Sequence, residues 1–184
     1  MTFEEIESWI AQYPICQYGF LETSRLMFSE RVRYICESEC ERYGKSWSCP
    51  PAVGTVEECR EKCLAYSHVL VFTTLAEVSD TAILSETLAT RKEHEKVTRG
   101  LCEKFRSSKE PFFALSSESC DLCRQCSWPK SPCRRPDQML PCIESYGILV
   151  TESAKLCGID FFYDSTTVTW FGMIFFHKNG SCLI

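Results

Sequence analysis

The first residues of the chain have the pattern of an amphipathic helix. Thr2 and Glu5 have the spacing of a capping box, apolar residues recur along one face behind them, and Pro14 ends the helix. The same spacing recurs at the start of TVEECREKCLAY, residues 55–66, which predicts a second helix. A long third helix is predicted from about 81 to 106, directly after a polar capping residue.

Other segments have the pattern of β-strands. HVLVFTTLAEV, residues 68–78, is a continuous apolar run bounded by polar residues, as in a buried central strand. ERVRYICES (30–38) and PFFALSS (111–117) predict two shorter strands. The segments IDFFYD (159–164) and TVTWFGMIFFH (167–177) predict the two arms of a hairpin.

Short helical segments are predicted between PFFALSS and this hairpin. One begins near Pro141, since proline suits a first helical position, and Gly147 ends it, while ESAKLCG predicts another turn. Strands and helices alternate in the middle of the chain, which predicts an α/β fold, a mixed sheet with flanking helices. We expect residues 1–184 to form a single compact domain with the cysteine loops at one end of its sheet.

The composition is that of a globular protein, and its charge excludes one class of partner. Of 184 residues, 45% are hydrophobic and 24% are charged, which suffices for one real core. The net charge of -5 and the pI near 5.3 argue against non-specific nucleic-acid binding. No apolar run reaches the length of a membrane span, and the opening MTFEEIESWI lacks the pattern of a secretory signal. We therefore expect a cytoplasmic protein that is not bound to a membrane.

Cysteine is unusually frequent, with 14 residues in the chain. Small secreted domains use many cysteines for disulfides because their cores are too small, but this chain can bury a core and shows no export signal. In a reducing compartment, clustered cysteines indicate metal or redox chemistry instead.

The densest cluster is SCDLCRQCSWPKSPCRRP, residues 119–136, which we name the second cysteine loop. Its thiols are Cys120, Cys123, Cys126 and Cys133. Three thiolates at i, i+3 and i+6 can each bind a different iron of a [4Fe–4S] cluster, as in bacterial ferredoxins. Zinc sites more often present two separated pairs, and the fourth thiol lies farther along than in ferredoxins, so zinc and disulfides stay open as alternatives.

The neighbours of these cysteines suit a cluster without requiring one. Arg124, Arg134 and Arg135 would offset its negative charge, and Trp128 could shield it from water. The arginines could equally be ordinary surface residues, and the tryptophan could be an ordinary core residue.

A first cysteine loop spans residues 36–51, with the spacing C-x3-C-x8-C and two prolines after the last thiol. That spacing matches no common zinc pattern, yet three thiols around a turn predict a metal site, with Trp47 as its lid. The alternative is a turn with buried cysteines. The predicted metal ligands of this loop are Cys36, Cys40 and Cys49.

The first loop lacks one ligand, and three residues could supply it. Cys133 could do so by the crossed sharing of two-cluster ferredoxins. Cys59 and Cys63 could also complete it, although they share a helix face where core packing is the simpler role. The remaining cysteines have no neighbour at a spacing typical of metal ligands. We predict that they are structural: Cys16, Cys102, Cys142, Cys157 and Cys182.

Histidine is scarce and none is spaced as a ligand pair. His68 and His177 lie at strand ends, and His94 lies in RKEHEK on the long helix. That segment is most simply a solvated face, although His94 in a cleft could shuttle protons.

Two stretches of the chain resemble a known family. YGKSWSCPPAVGTVEE, followed by CDLCRQCSWPKSPCRRPDQMLPCIESYGILV, is similar to the prokaryotic cysteine-rich, predicted metal-binding proteins named domain of unknown function 2284. Members carry a Cys-Pro-Pro turn, a C-x2-C-x2-C run, Cys-Arg-x-Pro and a Glu-x-x-Gly-Ile segment, and the resemblance covers about residues 30–150.

The resemblance implies the functional positions. The motif thiols are Cys40, Cys49, Cys120, Cys123, Cys126 and Cys133, with Cys36 at a more variable place. Structural positions that also match are Pro50, Pro51, Arg134, Pro136, Glu144 and Gly147. Where the family usually has serine this chain has Cys142, which argues against Cys142 as a ligand.

Residues and resemblance together predict a protein that holds one or two [4Fe–4S] clusters for electron transfer or redox support of a partner enzyme. The resemblance implies metal or iron–sulfur binding, typically in anaerobes, but no established reaction. Two alternatives stay open: a zinc-stabilised interaction protein without catalysis, and an enzyme whose cluster leaves one iron open to substrate. We expect a redox partner protein; the oligomeric state does not follow from the sequence.

Overall fold

The protein is described by a computed structural model over residues 1–179, in which four strands form one sheet. The strands are β1 (Gln17–Glu22), β2 (His68–Glu77), β3 (Phe112–Ser116) and β4 (Thr167–Phe176). Their order is β1-β2-β4-β3, and each neighbouring pair is antiparallel. The predicted α/β architecture in a single compact domain is confirmed, with a sheet that is antiparallel rather than mixed in direction.

Helices cover both faces of the sheet. They are α1 (Phe3–Ile10), α2 (Glu30–Ser38), α3 (Val56–Leu64), α4 (Leu84–Ser107) and α5 (Val150–Cys157). Thr2 caps α1 by accepting a hydrogen bond from Glu5 N–H (3.2 Å). Thr55 and Glu58 form a complete capping box at the start of α3, in which each side chain accepts a hydrogen bond from the backbone N–H of the other residue. In the described part of the chain, no helix combines the length and apolar character needed to cross a membrane.

The central strand β2 is apolar over residues 69–72, where both of its faces are buried. Val69 and Val71 face the side covered by α3 and α5, whereas Leu70 and Phe72 face α1 and α4. The continuous apolar run that predicts a buried strand is therefore confirmed.

Residues 30–38 form α2, so the strand predicted there is wrong. Ser29 caps this helix by accepting a hydrogen bond from its first turn (3.2 Å). Arg33 is its fully buried residue, whereas Tyr34 and Ile35 are exposed. A surface helix with one buried position shows little of the apolar periodicity that identifies a helix. The short alternation of apolar and polar residues in this segment therefore resembles a strand.

The predicted C-terminal hairpin is also wrong. β4 has β2 along one edge and β3 along the other, so IDFFYD has no edge to pair with and forms a loop with Phe161 and Phe162 exposed. The outer partner of β2 is instead β1, which the pattern missed. Gly19 lies within that short strand, where a Cβ would lie 2.7 Å from the Cβ of Cys157.

The segment after Pro141 is shorter than the predicted helix. It forms a single 3-10 turn, Glu144–Tyr146, which Gly147 ends in the left-handed conformation at φ 74°. That turn packs against α2 and follows residues that bridge to the end of β3.

Candidate metal centre

The second cysteine loop follows directly from β3 and is fastened at its start by two arginines. Arg91, buried on α4, donates a hydrogen bond to the Ser119 carbonyl (3.0 Å) and pairs with Asp121. Arg42, from the first loop, donates to the Ser119 hydroxyl (2.8 Å) and the Cys120 carbonyl (3.3 Å). The entry to the loop is thus held from two separate elements.

The four predicted thiols of this loop line one cavity. They are Cys120, Cys123, Cys126 and Cys133, and all are half-buried. The cavity is small, about 20 Å³, and Ser46 and Trp47 of the first loop form part of its wall. The structure therefore brings the thiols of the second loop together, with residues of the first loop beside them.

Hydrogen-bond donors surround the Cys126 thiol. Burial raises its pKa, but the backbone N–H groups of Trp128, Trp47 and Ser127 and the Ser46 hydroxyl together outweigh burial and lower the pKa of Cys126 below its usual value. The thiolate is the form that binds metals, so this position favours a ligand.

Two tryptophans, one from each loop, are in contact, and Trp47 lines this cavity. The rings of Trp47 and Trp128 are in edge-to-face contact with centroids 4.6 Å apart. Trp47 Nε1 also donates a hydrogen bond to the Ser131 carbonyl (3.1 Å). The sequence predicts Trp47 as a lid for the first loop, whereas its ring lies at the second.

Exposed cations form what we name the basic rim around the second loop. It consists of Arg42, Lys45, Arg124, Arg134 and Arg135. These side chains line two open depressions that also include Cys123. In a chain with a net charge of -5, the rim is a local concentration of positive charge.

The three predicted thiols of the first loop share another neighbourhood. Cys36 is half-buried near the end of α2, Cys40 is exposed, and Cys49 is buried. Burial, together with the nearby Cys40, Glu144 and Cys49, raises the pKa of Cys36 to about 11. Cys40 and Cys49 are thus among the charged groups that act on the Cys36 thiol.

A further cysteine reaches this neighbourhood from the chain before the 3-10 turn. The Cys142 thiol donates a hydrogen bond to Glu144 Oε2 (2.9 Å), and the Cys142 backbone N–H donates to the Ser48 carbonyl (3.3 Å). Burial raises the pKa of the Cys142 thiol, and Glu144 and Cys49 add to the effect. Burial likewise raises the pKa of Glu144.

The other cysteines lie away from both groups. Cys59 and Cys63 of α3 are buried in the core, as the sequence predicts, and Cys102 is buried on α4. Cys157 packs beside β1, and Cys16 is exposed. Cys182 lies outside the described residues.

The donor chemistry of the two groups fits a thiolate-bound metal, although no single-ion site stands ready-made. Within residues 1–179, no three Cys, His, Asp or Glu side chains are arranged to hold a metal ion as they stand. Every cysteine in that range is a free thiol. Thiols, with backbone N–H donors around their sulfur atoms, are the donor set used by iron–sulfur clusters and by structural zinc.

The sequence missed the serines that join the two loops. The Ser48 hydroxyl accepts a hydrogen bond from Cys120 N–H (2.8 Å) and lies 3.7 Å from Cys49 Sγ, and its partner Ser46 is 2.8 Å away. Both serines stand in the motif SWSCPP, but nothing in that spacing shows that they face a segment about 70 residues later in the chain.

The resemblance carried by the cysteine motifs extends over most of the chain. The sequence profile of a family described as "Predicted metal-binding protein (DUF2284)" matches residues 19–176, which include both cysteine loops. No curated protein and no solved structure is detectably similar to the chain. Because the match covers far more than half of the sequence, the chain belongs to this family of predicted metal-binding proteins.

Proposed function

We propose that the chain holds one or two [4Fe–4S] clusters and serves electron transfer or redox support of a partner enzyme. The observation that carries the proposal is that the four thiols of the second loop line one cavity. The i, i+3, i+6 spacing of the first three supports it, because each can bind a different iron. Family membership supports the coarser statement that the protein binds metal.

The residues of the chain have distinct roles in this proposal. Cys120, Cys123, Cys126 and Cys133 would hold the cluster, which supplies one-electron chemistry with little atomic rearrangement when bound. The N–H groups around Cys126 would stabilise negative charge on its sulfur, which raises a reduction potential. Trp47 and Trp128 would limit the access of water.

A zinc-stabilised interaction protein is the second candidate, and the size of the cavity favours it. A single ion needs less space than a four-iron core, and the cavity between the thiols is about 20 Å³. A cluster would hold the four thiols farther apart, on the side of the loop where Arg124 and Gln125 are exposed. Zinc would instead draw the four thiols inward, and its binding would contribute folding free energy.

The basic rim supports a negatively charged redox partner. Its five cations surround the loop through which an electron would pass. Attraction would therefore bring an acidic protein to the surface from which the electron has the shortest distance to travel. Such steering is screened by salt, because the rim is exposed. An electron-transfer rate that falls as ionic strength rises is the corresponding expectation.

The state of the cysteines supports a reducing compartment. The chain has 14 cysteines, and every one within residues 1–179 is a free thiol. Unpaired thiols in such number persist where glutathione and thioredoxin keep them reduced, which favours the cytoplasm.

Anaerobic purification followed by iron, zinc and acid-labile sulfide analysis tests the proposal. We expect a brown protein with about four irons and four sulfides for each cluster, and visible absorption that dithionite bleaches. A colourless protein with stoichiometric zinc and no sulfide would overturn the cluster in favour of the second candidate. A protein that takes up neither metal would overturn both.

Two cysteine variants test the assignment of the loop. Cys123→Ala should lose the metal of the second loop, whereas Cys16→Ala, which changes an exposed thiol elsewhere, should retain it. We also expect Cys182→Ala to retain the metal. Equal metal content in Cys123→Ala and Cys16→Ala would show that the loop is not the site.

A further inference from the structure

We propose that the outer edge of β3 binds an extended acidic segment of the partner protein, which adds to the sheet as a fifth strand. The inference deepens the proposed function and rests on it for one point, that the partner is a redox protein. It concerns a groove beside the second cysteine loop and not the thiols themselves.

Two hydrogen bonds at the end of β3 show which way its backbone groups point. Ser117 N–H donates to the Phe171 carbonyl of β4 (3.1 Å), whereas Ser116 N–H donates to the Pro141 carbonyl on the opposite side (3.0 Å). Backbone groups alternate in direction along an antiparallel strand, and the register of β3 with β4 is unbroken. Residues at even distances before Ser116 therefore also direct their N–H and C=O groups away from β4.

Two such residues, Phe112 and Ala114, have no strand beside them. The bridge between Ser116 and Cys142 is isolated, so the chain before Cys142 does not continue along this edge. Within residues 1–179, no hydrogen bond reaches the outward backbone groups of Phe112 and Ala114. An added strand would satisfy these groups, because its own donors and acceptors repeat at the same interval of about 7 Å.

A groove of about 350 Å³ opens at this edge, and we name it the β3 groove. Lys62 of α3 lines it on one side and Arg106 of α4 on the other, while residues from Pro136 to Pro141 form its outer wall. Its volume lies within the usual range for ligand pockets, about 300–1,000 Å³. A few residues of extended chain therefore have room beside the strand.

The cation on the α3 side of the groove favours an acidic segment. The Lys62 ammonium lies 4.1 Å from the centre of the Phe113 ring and donates a hydrogen bond to the Tyr146 hydroxyl (3.1 Å). In the described part of the chain, no carboxylate pairs with Lys62. Burial lowers its pKa, so a carboxylate arriving beside it would stabilise its charged form.

The charges on the α4 side are already balanced. Arg106 pairs with Glu103 and donates a hydrogen bond to the Asp137 carbonyl (3.0 Å), and Asp137 is the acidic residue of the lining. Side chains of a strand alternate between the two faces of a sheet. The acidic side chain of the bound segment should therefore lie on the α3 face, where it meets Lys62.

The β3 groove adjoins the cavity that the four thiols line. Met139 lines both, and Pro136 directly follows Arg135 of the basic rim. A partner with a segment in the groove would thus lie beside the second cysteine loop. The rim would attract this partner, and the added strand would fix its orientation.

Peptide binding to the isotope-labelled protein, followed by NMR and amide hydrogen exchange, tests the inference. The probe is the capped pentapeptide Thr-Val-Glu-Val-Thr at millimolar concentration. In the free protein, the amides of Phe112 and Ala114 should exchange faster than those of Phe113 and Leu115, which face β4. The peptide should shift the signals of Phe112 and Ala114 and slow their exchange.

Two matched peptides separate strand addition from other kinds of binding. N-methylation of every internal residue removes the backbone donors and should abolish binding. Replacement of the glutamate by glutamine should weaken binding about three- to fivefold through loss of the ion pair.

Two variants of the protein test the role of Lys62. Lys62→Met keeps the apolar stem and should bind the glutamate and glutamine peptides equally. Lys96→Met, which changes an exposed cation on α4, should keep the preference for glutamate. A general loss of stability would not change this ratio of affinities.

The outcomes distinguish this inference from the proposed function, because binding is measured in the protein with and without its metal. Unchanged signals of Phe112 and Ala114, or equal binding of the N-methylated peptide, would overturn the inference alone. Equal shifts with glutarate would also overturn it, because the groove would then be a site for small carboxylic acids. A protein that binds the peptide but takes up no metal would overturn the proposed function and leave the groove as a peptide site.

Discussion

His94 is held by the sheet and not by the cysteine loops. Its Nε2 lies 3.0 Å from the Phe171 carbonyl and its Nδ1 lies 2.9 Å from the Thr74 hydroxyl, so both ring nitrogens are satisfied. The ring is 1% exposed, and burial lowers its pKa to about 4. This is a neutral, structural histidine on an otherwise charged helix segment.

The stability of the protein should therefore depend on pH through His94. The unfolded histidine binds a proton below about 6.5, whereas the folded one stays neutral down to about 4, so the free energy of unfolding falls as pH drops across that window. The expected loss is about 3 kcal/mol. Urea unfolding of the natural protein and of His94→Gln at several pH values measures it, and parallel profiles for the two would contradict it.

Ser48 is one of the residues through which the two cysteine loops touch. We expect Ser48→Ala to lower the free energy of unfolding by about 1–3 kcal/mol, because the Cys120 N–H then lacks its acceptor. Metal content should fall as well. Ser38→Ala is the matched control, since that exposed hydroxyl bonds only within α2 (2.8 Å to the Tyr34 carbonyl). Equal stability of the two variants in guanidinium would refute the role.

At the scale of elements, α4 positions the second loop through Arg91. We expect Arg91→Met to destabilise the protein by about 2 kcal/mol, a value reduced because Asp121 is partly exposed. The variant should also retain less metal, since the start of the loop loses its anchor. Lys96→Met removes an exposed pair on the same helix and should change neither quantity. A metal content equal in the two variants would show that Arg91 does not position the loop.

Gly172 of β4 pairs with Phe72 of β2, and a Cβ at Gly172 would overlap the ring of Phe72. Gly172→Ala should therefore cost about 1–3 kcal/mol or more by overpacking. Combining it with Phe72→Leu should recover part of that loss, which a double-mutant cycle measured by thermal unfolding would reveal. Strictly additive effects would mean that the two residues do not compete for this space.

At the scale of the whole molecule, the second cysteine loop is held by hydrogen bonds from segments that are distant in the chain. A bound metal should therefore stabilise the folded state as a whole, by about 2.7 kcal/mol for each site at a hundredfold excess over its dissociation constant. Anaerobic chelation should lower the melting temperature of the natural protein. It should leave the double variant Cys123→Ala/Cys40→Ala, which lacks one predicted ligand in each loop, unchanged, and an equal decrease in both proteins would show that the chelator acts elsewhere.

Several elements could be predicted from the sequence because their signals are local. The capping boxes at Thr2 and Thr55, the buried run at 68–78 and the end at Gly147 each depend on residues within one or two turns of one another. The membership of Cys120, Cys123 and Cys126 in one group follows from their spacing in the same way. These features need no knowledge of the remaining chain.

Other elements depend on contacts that no local pattern contains. α2 was mistaken for a strand because its one buried side chain, Arg33, is polar and finds its partners on distant segments. IDFFYD is apolar like a strand, yet both edges of β4 are taken by β2 and β3. In each case the competition between segments for a place in the fold decided the outcome.

By itself, the sequence determined that this is a cysteine-rich α/β protein of a predicted metal-binding family, with two loops of candidate ligands. Only the tertiary structure decided which segments lie together: Cys133 lines the same cavity as Cys120, Cys123 and Cys126, and the Cys142 N–H donates to the Ser48 carbonyl of the first loop. The physical reason is that a metal site is defined by side chains converging in space. That convergence here depends on long-range hydrogen bonds of Ser48, Arg42 and Arg91.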